Sequence, residues 1–139
     1  RRQRQMCIRD SRNSVRAIAD LPRARAMMER VIELDNTYFY GMPHLFMIVN
    51  YSMPKMFGGD PGKALKEYET LEKVSGGRLA MGGIYMAKYY AVQIQDEELF
   101  DELLDSVDDT DDDVIEEKLL TVVAKKKAEI LRERKKDLF

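Results

Sequence analysis

The chain has no tryptophan, one histidine, one cysteine and four prolines in 139 residues. No apolar run is long enough to span a bilayer, few stretches alternate as a strand would, and neither sign of charge dominates. Each scarcity closes off a class of function. A single cysteine cannot make an internal disulfide or a cysteine-rich zinc site. A lone histidine, His44, has no partner at metal-ligand spacing and carries no Ser-His-Asp signature. Lys and Arg total 23 against 25 Asp and Glu, a formal charge of −2, which argues against general nucleic-acid binding. What is present is 45% hydrophobic and 35% charged residues of mixed sign, enough for one domain with a core and a charged surface.

Residues 1–11, with the cysteine at position 7 (Cys7), read unlike the rest. Back-translated, Arg1-Arg2-Gln3-Arg4-Gln5-Met6-Cys7-Ile8-Arg9-Asp10-Ser11 matches a transposase-type sequencing-library adapter. The rival readings are a basic nucleic-acid arm or a fragment of a targeting peptide. Segments of non-biological origin are set aside from fold reasoning, so the expected domain is 12–139, the truncated C-terminal part of a longer protein. Without the four arginines and one aspartate of that segment the formal charge moves from −2 to −5.

The most informative stretch is Gly58-Gly59-Asp60-Pro61. Glycine past a helix end accepts the left-handed backbone that terminates it. Asp60 offers its carboxylate to the free amides of a following helix, and Pro61 suits the first helical position. Gly76-Gly77 predicts a second such end, and Asp96, followed by Glu97 and Glu98, a second such start. Between these signals the apolar spacing predicts helices. One is expected over Pro22–Leu34, capped by Asp20, and one over Pro43–Met53 after an aromatic link Tyr38-Phe39-Tyr40-Gly41. The next carries Ala64, Tyr68 and Leu71. Another, about Arg78–Gln93, has small residues Ala80, Gly83, Ala87 and Ala91 on one face and Tyr85 and Tyr89 on another. Leu99, Phe100, Leu103, Leu104 and Val107 make a dense stripe. The last helix is expected to open at a capping box, Asp113 to Glu116, and to bury Leu120, Ala124, Ala128 and Leu131.

Asp20, Asp60 and Asp96 begin similar segments 40 and 36 residues apart, slightly longer than the tetratricopeptide period. The expected fold is therefore all-α, an antiparallel array of helix hairpins stacked as a tetratricopeptide-like solenoid with a concave groove.

Catalytic and metal readings are weaker than their bland counterparts. The GxxxxGK[ST] phosphate loop is absent, and Asp60 would repel an anion at Gly58-Gly59. The run Asp108–Asp113 approaches a calcium-loop spacing but has Val107 and Thr110 where a ligand and a glycine belong. Glu97-Glu98 and Glu116-Glu117 are adjacent pairs whose side chains point apart on a helix. Lys125-Lys126-Lys127 reads as a solvated face. No enzymatic activity, cofactor or metal is expected. Tyrosine, with an apolar ring and polar tip, suits a groove, and Lys55 and Lys88 stand near tyrosines in sequence.

Tyr40-Gly41-Met42-Pro43-His44-Leu45-Phe46, then Pro54-Lys55-Met56-Phe57-Gly58-Gly59-Asp60-Pro61, resembles the TRAP transporter T-component family, often called TatT. Ser75-Gly76-Gly77, Ala87-Lys88-Tyr89-Tyr90-Ala91 and Phe100-Asp101-Glu102-Leu103-Leu104 extend the resemblance from about Leu21 to the C-terminus. It implies a periplasmic, lipid-anchored helical protein that accompanies the solute-binding P-component of a tripartite ATP-independent transporter. It also implies a non-enzymatic role: docking that subunit, with a hydrophobic or organic-acid ligand as cargo, and a capacity to form homo-oligomers. The alternative is a general tetratricopeptide adaptor in an envelope assembly or secretion complex. Candidate groove residues are His44, Tyr51, Lys55, Tyr85, Lys88 and Tyr89. Gly58, Gly59, Asp60, Pro61, Gly76, Gly77, Asp96 and Asp113 are expected at turns and caps.

Overall fold

The computed structural model describes residues 15–139, and the segment 1–11 with Cys7 lies outside them. Within the described residues every regular element is a helix. They are α1 (Val15–Leu34), α2 (Tyr38–Tyr51), α3 (Pro61–Ser75), α4 (residues 81–94), α5 (Glu97–Asp108), α6 (Lys118–Glu133) and α7 (Lys135–Leu138), with a 3₁₀ turn, Lys55–Phe57, before α3. The helices are arrayed by hairpins: α1 packs on α2, α2 on α3, α4 on α5 and α5 on α6. In addition α4 packs on both α2 and α6, which makes it the spine of the array.

Several helix ends follow local chemistry. Gly58 takes φ 83° and closes the 3₁₀ turn, its N–H donating to the Lys55 carbonyl. Asp60 is the N-cap of α3, its carboxylate accepting from the Lys63 N–H at 3.2 Å, with Pro61 at the first helical position. Gly76 and Gly77 end α3 at φ 65° and 70°. Asp96 caps α5 by accepting from the Leu99 N–H at 2.9 Å. Losing such a cap costs about 1 kcal/mol.

Other ends differ from expectation. Helix α1 does not start at Pro22 under an Asp20 cap; the chain is already helical at Val15, the first described residue, and the helix passes through Pro22. It forgoes the bond that a Pro22 N–H would give four residues back, while its second half is held by Met28 and Ile32 against Met47, Tyr51 and Ala64. The aromatic link is left-handed, with φ 45° at Phe39, 59° at Tyr40 and 80° at Gly41, so right-handed helix resumes close to Pro43 as expected. A Cβ at Gly41 would sit 3.0 Å from Leu71 Cδ1, so this turn also needs a small residue. The last long helix opens at Lys118, and Asp113 is not its cap. Ile115 is instead 4% exposed, drawn into the core, and that burial outweighs a local capping signal of about 1 kcal/mol. Asp113 pairs with Lys118 Nζ at 2.6 Å. The chain breaks again at Arg134, so the basic tail is a separate short helix that lays Phe139 edge-on against Phe100, centroids 5.2 Å apart.

Phe100, Leu104, Leu71, Ile48, Leu79, Ile84 and Met86 are fully buried in one continuous core. Each such side chain contributes about 1.5–3 kcal/mol by leaving water. The small face of α4 lets its neighbours in: a Cβ on Gly83 would lie 2.8 Å from Val107 Cγ2 of α5, and one on Gly82 2.9 Å from Leu71 Cδ2 of α3.

Beside Gly82 the α3–α4 seam also holds Tyr68 and Glu72. Burial pushes the Glu72 carboxyl above its ordinary range, only partly offset by the Tyr68 hydroxyl. Burial and Glu72 push the Tyr68 phenol up in turn. A carboxyl whose pKa is raised on folding supports the fold fully below its unfolded pKa, and that support fades as pH rises through the folded value. Glu72→Gln removes the desolvated charge. It is expected to raise the melting temperature by a few degrees at pH 7, with the gain shrinking towards pH 4. Thermal melts at the two pH values check this.

Candidate functional site

Helix α4 is not a uniform α-helix. It opens as α over Met81–Tyr85, widens to a π-helical segment over Met86–Ala91 and closes with an α turn, Val92–Ile94. Such π segments recur at functional sites. Lys88 and Tyr89 lie within this one and Tyr85 at its edge. The rings of Tyr85 and Tyr89 stack, centroids 5.7 Å apart and planes 29° from parallel, to form a ridge along the outer face of α4.

Clefts open on both sides of the ridge. Towards α6 a cleft of about 150 Å³ is lined by Ile84, Tyr85, Lys88, Tyr89, Lys127, Ile130, Leu131 and Arg134. Towards α1 and α2 a larger, almost wholly apolar hollow of about 480 Å³ is walled by Met28, Val31, Tyr38, Met42, Pro43, Leu45, Phe46 and Val49, with both tyrosines again at its edge. Further along, Lys88 and Tyr89 also border a shallow cleft with Val49, Ser52 and Gln95. One face of α4 thus serves three neighbouring depressions.

Cations accompany the rings. Lys88 Nζ stands 4.9 Å from the Tyr89 centroid and Lys127 Nζ 5.7 Å from that of Tyr85. A cation over an exposed ring gains about 0.5–1 kcal/mol.

Of the six candidate groove residues, the fold brings Tyr85, Lys88 and Tyr89 together and sends the other three elsewhere. His44 is 2% exposed in the α2–α3 seam, its Nδ1 2.7 Å from Glu67 Oε2. Its Nε2 is buried without a hydrogen-bond partner among the described residues. Tyr51 is buried between α1 and α3, with the Arg25 guanidinium 4.7 Å from its ring centroid and Lys63 Nζ at 5.6 Å. Lys55 lies exposed on the 3₁₀ turn, outside the clefts along α4. Sequence reasoning missed Arg134, and Lys127, which it reads as part of a solvated face. The signal was present in their spacing: Lys127, Ile130, Leu131 and Arg134 fall at i, i+3, i+4 and i+7 on one helical face.

Among the described residues no group of three or more His, Cys, Asp or Glu side chains could hold a metal ion, and no helix is long and apolar enough to cross a membrane. The acidic run 108–113 lines an open, shallow surface, with Asp112 and Asp113 paired to Lys125 and Lys118. An aromatic ridge between apolar and cationic clefts, presented on a rigid helix, is suited to recognition by burial. In comparison with known proteins, the model of the TRAP transporter T-component family (TAtT) matches residues 5–139. No curated protein matches the chain.

Proposed function

The chain belongs to the TRAP transporter T-component family, and from that membership we propose that it is a non-enzymatic subunit that docks the transporter's solute-binding P-component on the outer face of α4. The family places it with a TRAP transporter and makes it an accessory component of the cell envelope. The proposed setting is the periplasm, with a lipid anchor on the full-length protein, and the same face would receive a hydrophobic or organic-acid ligand.

The observation that carries this reading is the stacked Tyr85–Tyr89 pair, flanked on both sides by concave surface. Half-buried aromatic anchors at the centre of a contact supply most of its binding energy. They also lose little conformational entropy on binding, since Tyr has two χ angles.

Tyr85→Ala and Tyr89→Ala are each expected to weaken P-component binding by more than about tenfold, the loss of one modest hot spot. Calorimetric titration of the complete gene product with the cognate solute-binding subunit measures this, with circular dichroism confirming that both variants fold. Undiminished binding in two folded variants removes α4 as the docking face.

A further inference from the structure

We propose that the cleft between α4 and α6 is a binding site for a small aromatic carboxylate, its ring against Tyr85 and Tyr89 and its carboxylate among Lys88, Lys127 and Arg134. This rests on the reading that the α4 face receives a ligand, and it names the ligand's chemistry and seat.

Charge pairing gives the first argument. Most other cations of α6 and α7 find carboxylates: Lys118 with Asp113, Lys125 with Asp112, Lys126 with Glu129, Arg132 with Asp105 and Asp108, Lys135 with Glu97 and Asp101, while Lys136 has none among the described residues and does not line the cleft. Lys88, Lys127 and Arg134 have no such partner among the described residues, although acidic residues make up nearly a fifth of this chain. All three converge on one cleft whose wall contains no carboxylate. Two of them rest against tyrosine rings instead. An arriving carboxylate would replace weak ring contacts with charge-assisted hydrogen bonds, about twice as strong as neutral ones.

Size and shape give the second argument. The cleft measures about 150 Å³, the volume of an apolar cavity that holds one benzene ring. Ile84, Ile130 and Leu131 supply its apolar lining. A planar ring can stack in offset geometry on a tyrosine face, a contact worth about 0.5–1.5 kcal/mol beyond simple burial. The cations come from two helices, Lys88 from α4 and Lys127 from α6, with Arg134 at the α6–α7 break. A dispersed anion such as a sulfate gains nothing from the rings, and an uncharged arene gains nothing from the cations.

Benzoate and its uncharged counterpart benzamide are the probes, titrated into the full chain and followed by heteronuclear NMR shifts at α4 and α6. Benzoate is expected to bind with Kd below about 1 mM and benzamide at least about tenfold more weakly. The double variant Lys127→Gln, Arg134→Gln is expected to lose at least about tenfold in benzoate affinity with an unchanged melting temperature, since both side chains are exposed. Equal affinity for the two probes, or full benzoate binding by the double variant, overturns the proposal. So does an acetylated, amidated Asp tripeptide that binds as tightly as benzoate, because the cleft would then read as a seat for a partner's acidic side chain. Absent benzoate binding beside intact P-component docking removes this site alone. Benzoate binding beside failed docking leaves the site standing and removes the docking face.

Discussion

Phe100→Ala is expected to lower the free energy of unfolding by about 3–5 kcal/mol. Phe100 projects from α5 with 0% of its surface exposed, into the core that α4, α5 and α6 share. Truncation removes the transfer free energy of the ring and leaves a cavity that helices on three sides cannot fill by small shifts. A domain of this size has about 5–15 kcal/mol of stability in all, so the variant should be partly unfolded at physiological temperature. Phe139 stands edge-on to the same ring at 75° and is itself only partly buried. Phe139→Ala should therefore cost much less, and the double variant less than the sum, with a coupling of about 0.5–1.5 kcal/mol. Urea melts of the four proteins measure all three quantities. A Phe100→Ala loss under about 1 kcal/mol would mean that this core is not packed as described.

Gly59→Ala should be as damaging, for a different reason, and its neighbour Gly58 provides the contrast. A Cβ on Gly59 would lie 1.5 Å from the Met53 carbonyl oxygen and 2.5 Å from its carbon. Those are backbone atoms, so no side-chain rotation relieves the overlap. The loop cannot simply swing out, because the Asp60 N–H donates to the Tyr51 carbonyl at 2.8 Å and the Gly59 N–H to that of Pro54 at 3.3 Å. Either those bonds break or α3 shifts against α2, and a loss of about 4 kcal/mol or more is expected, at the exceptional end for a single substitution. At Gly58 the nearest atom to a new Cβ is Arg25 Nη2 at 3.9 Å, so space is available and only the left-handed φ of 83° objects. Gly58→Ala should cost about 1–2 kcal/mol. Thermal or urea melts that gave the two variants equal stability would show that the joint is looser than its hydrogen bonds indicate.

The features legible in the sequence are those whose causes act within about four residues. The Asp60 and Asp96 caps, the Gly58 and Gly76 ends and the stripe from Phe100 to Val107 are of this kind. A carboxylate reaches an amide three positions away, and a helix repeats its faces every three or four, so spacing alone determines them. The Tyr85–Tyr89 ridge was legible for the same reason. The resemblance carried by the segments around Gly58-Gly59-Asp60-Pro61 likewise pointed to the family that the chain belongs to.

Only the tertiary structure decided the rest. Burial of Ile115 moved the start of α6 from Asp113 to Lys118, and packing on Phe100 split off α7. Within α4, the π-helical segment leaves no mark in an apolar period. His44 and Tyr51 went into seams because α1 and α3 close over α2, while Lys127 and Arg134 joined the tyrosines because α6 lies alongside α4. Spacing along one helix says which side chains share a face. Which faces meet depends on how apolar area is buried between helices far apart in the chain, and that energy exceeds any single local signal.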